Sequence, residues 1–170
     1  MNLASKIALI GIIGGVLSTS CKKEQCTEPV PEVSFLEYYQ EAADTTIYHL
    51  VFKFTDCDGD IGMETTGSIL DENGDVQTTN FKIDLYYYQN DQWNKHIFKS
   101  EDGLNSKIPV LGNSTVNPIL DGEVEKVIDY YTIDLPTIGD FDTIMYKSRI
   151  LDNAGHYSNW AESPQYIIPQ

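Results

Sequence analysis

Long helical periodicity is missing from this chain. No segment repeats apolar residues near every 3.6 positions, which excludes helical bundles and α/β folds built on amphipathic helices. The longest early apolar run, Ile7 to Leu17, is about half of the roughly 20 residues that a spanning helix needs. Positive charge is also scarce. Lys and Arg number 11 against 26 Asp and Glu, for a net charge of −15. Such a surface repels phosphate backbones and attracts cations, so nucleic acid is excluded as a partner. Catalytic signatures are lacking too. There is no G-x-S-x-G and no phosphate-cradling glycine loop. His49, His96 and His156 are scattered, with no pair at metal-ligand spacing. No residue is therefore assigned as catalytic.

What is present begins at the N-terminus, MNLASKIALIGIIGGVLSTSC. Lys6, the apolar run and the small residues Ser18, Thr19 and Ser20 before Cys21 read as a secretory signal over 1–20. The pattern resembles a bacterial lipoprotein signal, with Cys21 as the lipidated residue. It departs from the usual form in having Ser18 three places before the cysteine, with Leu17 one place further back. The looser form resembles that of the Bacteroidota. Such a chain is membrane-anchored through lipid without a spanning helix. Removing 1–20 takes out Lys6 and no acid, which leaves the remainder more acidic still. Residues 21–32, CKKEQCTEPVPE, read as a polar tether, and 33–170 as one domain. Lys22 after the cysteine is not a strong inner-membrane retention signal, so the expected location is the outer membrane, periplasmic or surface-exposed. With Cys21 lipidated, Cys26 and Cys57 remain. They either form a disulfide tying tether to domain, worth roughly 3–4 kcal/mol by chain entropy, or stay as two thiols.

Across the domain the periodicity is two. Tyr48, Leu50, Phe52 and Phe54 alternate with Ile47, His49, Val51 and Lys53. Phe81, Ile83, Leu85 and Tyr87 alternate with Lys82, Asp84, Tyr86 and Tyr88. Asn90–Asp91 then turns the chain into QWNKHIFK as a hairpin partner. VSFLEYYQ, SKIPVL, GEVEKVIDYYTIDL, DTIMYKSRILD and ESPQYII supply further strands, with Pro109 confining SKIPVL to an edge. About seven short strands between Gly, Asn and Asp turns predict an all-β antiparallel sandwich.

MYKSRILDNAGHYSNWAESPQYII resembles the closing hairpin of fibronectin type III and related immunoglobulin-like domains. Asp152, Ala154, Gly155 and Ser158 match their turn, and Tyr146 stands at their corner tyrosine. The whole chain resembles a group of Bacteroidota lipoproteins through its signal, FTDCDGDIG at 54–62 and YKSRILDNAGHYSN at 146–159. That resemblance implies an envelope location and an immunoglobulin or fibronectin type III-like sandwich, and leaves function open.

Asp56, Asp58 and Asp60 alternate within FTDCDGDIG. Calcium takes six to eight oxygens, and alternate aspartates in a glycine-containing loop can supply them, with Glu64 or the Ile61 carbonyl as further donors. The helical EF-hand pattern does not fit, because Ile61 and Gly67 stand where glycine and glutamate belong. The same residues also suit a simple turn in which the aspartates cap backbone N–H groups and Ile61 packs inward. LDENGDV offers a second acidic turn, with Asp71, Asn73 and Asp75, which either shares the ion or stands apart. Tyr86, Tyr88 and Trp93 form a candidate aromatic platform for a glycan or an envelope protein, or simply half-cover a sheet face. The expected role is binding or structural, with calcium as the one cofactor considered. The alternative is a calcium-assisted extracytoplasmic hydrolase using the acidic loops.

Overall fold

The computed structural model describes residues 29–110, 119–130 and 142–167. The signal, Cys21, Cys26 and most of the tether lie outside the described residues. Within them the protein is all-β. One sheet has the order β1-β2-β7, from Glu32–Gln40, Ile47–Asp56 and Leu120–Asp129. A second runs β10-β8-β5-β6, from Tyr166–Ile167, Thr143–Ile150, Phe81–Gln89 and Gln92–Lys95, with β9 (Ala161–Glu162) also on β8. β3 (Ile69–Leu70) and β4 (Val76–Gln77) form a separate small hairpin. Every strand pair is antiparallel.

The alternating faces explain this assembly. Leu50, Phe52 and Phe54 on β2 and Phe81, Ile83 and Leu85 on β5 all enter one buried cluster, joined by Ile128, Ile144, Tyr146 and Ile150. The rings of Phe52 and Phe81 meet edge to face across the two sheets at 6.1 Å. Burying each such side chain contributes about 1.5–3 kcal/mol. The Asn90–Asp91 turn holds both residues at positive φ, 54° and 61°, which matches the right-handed twist of β5 and β6.

Two sequence expectations are corrected. SKIPVL forms no strand in its described part; Ser106 and Pro109 make only isolated bridges, to Phe81 and Met63. Proline cannot donate to a ladder, and the Asn80 carboxamide takes the Ile108 N–H instead, at 2.7 Å. The single last strand expected in ESPQYII is split into β9 and β10. The Ser163 hydroxyl accepts the Tyr146 N–H at 2.9 Å and donates to the Pro164 carbonyl, so a side chain replaces the ladder where Pro164 interrupts it.

Tyr146 is fully buried. Its hydroxyl meets the Tyr130 hydroxyl at 2.9 Å, and Tyr130 meets Tyr38 at 2.6 Å. Burial pushes the Tyr146 and Tyr130 hydroxyls above the ordinary phenol value, so this chain stays neutral. Tyr146→Phe is expected to cost about 1 kcal/mol, because Tyr130 keeps its bond to Tyr38. Chemical denaturation of the two proteins checks this. A loss as large as that of a broken core would show that the hydroxyl chain acts as one unit.

Candidate metal centre

β2 ends at Asp56 because its own side chain takes over the pairing. The Asp56 Oδ2 accepts the backbone N–H groups of Asp60, at 2.9 Å, and Ile61, at 3.2 Å. Gly59, at φ 71°, supplies the left-handed residue that the tight return needs. Ile61 then drops into the core at 2% exposure. The turn chemistry expected from the sequence is thus present. It uses only one oxygen of Asp56.

One carboxylate oxygen from each of Asp56, Asp58 and Asp60 lies within 4.8 Å of the others. Asp56 is 1% exposed, and its Oδ1 has no hydrogen-bond partner among the described residues. Asp60 Oδ1 is likewise buried and unpartnered. Burial, followed by the Asp58 carboxylate, pushes Asp56 up to about 6. Burial, followed by Asp152, pushes Asp60 up to about 6. Unpaired buried carboxylate oxygens are costly, and a hard cation is the partner that three converging carboxylates suit. Glu64 is exposed and stands outside the trio.

The acidic hairpin is separate. Asp71 accepts the N–H groups of Asn73 and Asp75, both at 3.0 Å, the Gln77 amide at 2.9 Å and the Tyr157 hydroxyl at 3.4 Å. Its lone pairs are thereby taken by its own hairpin and by Tyr157. What does reach the aspartate loop is the turn after β8. The Asp60 carbonyl accepts the Asn153 N–H at 3.4 Å. The two motifs that carry the lipoprotein resemblance, 54–62 and 146–159, meet here.

The histidines do not build a catalytic set with the trio. His49 lies on the outer face of β2 between Glu125 and Glu41. His96 packs edge-on to Phe98. His156 pairs with Asp152, whose carboxylate also takes the His156 N–H at 2.7 Å. Asp56 has the raised pKa that a general acid needs, but at 1% exposure it is closed to a substrate.

Cys57 is disulfide-bonded, which overturns its reading as a free thiol. The chain's other cysteines, Cys21 and Cys26, lie outside the described residues. Tyr86, Tyr88 and Trp93 do share the outer face of β5 and β6. Tyr88 and Trp93 are cross-strand partners with rings 5.4 Å apart, and Lys147 sits over the Tyr86 ring. Sequence reasoning did not single out Lys82, Arg149, Tyr157 or Trp160, which the β5–β8 register and the turn after β8 bring together. Compared with protein-family models, curated proteins and solved structures, the chain matches none.

Proposed function

We propose that this is a lipid-anchored protein of the outer membrane, periplasmic or surface-exposed, with a binding or structural role and a calcium ion fixing the loop at Asp56, Asp58 and Asp60. The observation that carries the metal reading is the pair of buried, unpartnered oxygens, Asp56 Oδ1 and Asp60 Oδ1, beside Asp58. Calcium fits this set because all three donors are carboxylate oxygens; remaining positions fall to carbonyls and water. The domain is an antiparallel sandwich of the immunoglobulin or fibronectin type III kind. The three-stranded and larger sheets sharing one core support that reading. Cys21 carries the lipid, which leaves Cys26 as the disulfide partner of Cys57 and ties the tether to the metal loop.

Thermal unfolding of the protein in calcium and then in chelator tests the metal. With free calcium near 100 times its dissociation constant, linkage gives about 2.7 kcal/mol, a rise of several degrees in melting temperature. Asp58→Ala, at an exposed position, should abolish the shift without unfolding the protein. An unchanged wild-type melting temperature at millimolar calcium would leave the aspartates as turn residues alone.

A further inference from the structure

On the outer face of the larger sheet, Lys82 of β5 and Arg149 of β8 are direct cross-strand partners. Like charges placed opposite one another repel, and Arg149 helps to push the Lys82 ammonium below its ordinary value, after burial. In a chain with 26 acidic residues, neither cation enters an ion pair among the described residues. Lys82 rests on neutral acceptors, Gln77 Oε1 at 2.9 Å and Thr79 Oγ1 at 2.8 Å. Four carboxylates line the same groove: Asp71 is held by its hairpin and by Tyr157, Asp84 pairs with Lys95 at 2.7 Å, and the exposed Glu72 and Asp75 form no ion pair with Lys82 or Arg149 among the described residues.

Arg149 is also held in place. Its guanidinium stacks on Tyr157 at 3.5 Å and on Trp160 at 4.5 Å, and its Nε is buried with no acceptor among the described residues. A fixed, unpaired guanidinium is a fork set for a planar anion. These residues line a groove of about 400 Å³, within the usual range for small-ligand sites. Its wall is polar, with the amides of Asn73 and Asn105 along it, while Trp160 leaves 42% of its surface exposed.

We infer that this groove binds an acidic sugar, its carboxylate held by Lys82 and Arg149, its hydroxyls by the groove amides and a ring face by Trp160. Two cations with no ion pair among the described residues suit an anion, the polar wall suits hydroxyls, and an exposed indole suits a sugar face. The inference does not rest on the metal centre. Overall negative charge repels anions at long range, so recognition is local and best measured at physiological salt, where the Debye length is about 8 Å.

The test is calorimetric titration with trigalacturonate in EDTA, with maltotriose as the neutral counterpart. Trigalacturonate alone should bind saturably. Lys82→Gln and Arg149→Lys should each weaken it at least about tenfold, since each removes a charge-assisted contact. Arg149→Lys keeps the charge and loses the fork, and Lys82→Gln carries the test if Arg149→Lys lowers the melting temperature. Equal binding of maltotriose, no saturable heat at about 10 mM trigalacturonate (an affinity weaker than about −3 kcal/mol), or variants that bind like the wild type would each overturn the assignment.

Discussion

In chelator, lowering the pH from about 7.5 to about 4.5 should raise the melting temperature of this protein, against the usual direction of acid denaturation. The reason lies in two carboxyls. Asp56 and Asp60 both sit near 6 in the folded protein, Asp56 through burial and Asp58, Asp60 through burial and Asp152. In the unfolded chain they titrate near 4. Between about pH 4 and 6 the folded state therefore binds more protons than the unfolded state. Stability is greatest at the acid end of that window and is lost as pH rises through 6. At about 1.4 kcal/mol per pK unit, and with the two sites sharing one set of charges, the gain is on the order of 3 kcal/mol. Asp71 works in the opposite sense: backbone N–H donors lower it despite burial, so its contribution is lost only as pH falls below the ordinary carboxylate range. Calcium should flatten the profile above pH 6, because the ion supplies the positive charge that protons supply below it. Asp56→Asn should flatten it in chelator as well. A wild-type melting temperature that holds level or falls between pH 7.5 and 4.5 in chelator would mean that the trio is not strained.

The alternation of β2 and β5 was readable because one face of each had to be buried and a one-residue slip would expose it. The Asn90–Asp91 turn was readable for an equally local reason. Pro109 and Pro164 were visible, but not which side chains would replace their ladder bonds; Asn80 and Ser163 do so from elsewhere in the fold. The aspartate trio was legible in FTDCDGDIG. That Asp71 would be saturated by its own hairpin and by Tyr157, and so excluded from the site, was not. The Lys82–Arg149 pair was hidden for a topological reason: the residues are far apart in sequence, and only the β5–β8 register opposes them. Periodicity reports the face of a residue and says nothing of its neighbour on the next strand.

Gly155→Ala should be among the most damaging single-methyl additions in the molecule. Gly155 sits at φ 91°, and a Cβ there would lie 2.5 Å from the Leu70 carbonyl oxygen. Backbone cannot rotate away as a side-chain tip can. Strain at positive φ contributes about 1–2 kcal/mol, and the forced separation brings the total to about 3 kcal/mol or more, on the order of 10 °C. Gly74→Ala is the matched control. Gly74 has a similar φ of 83°, but a Cβ would meet nothing within 4 Å, so only the strain is expected, about 1 kcal/mol. The difference between the two reports how tightly the turn after β8 is wedged against β3. It also reports on the metal loop. The same turn presents the Asn153 N–H to the Asp60 carbonyl, while Asp152 fixes the turn through His156 and Gly155. Pushing the turn off Leu70 withdraws that donor, so Gly155→Ala should lose calcium stabilisation that Gly74→Ala retains. Equal melting temperatures for the two variants would show that the turn gives way freely, and that the loop at Asp56 to Asp60 is held without it.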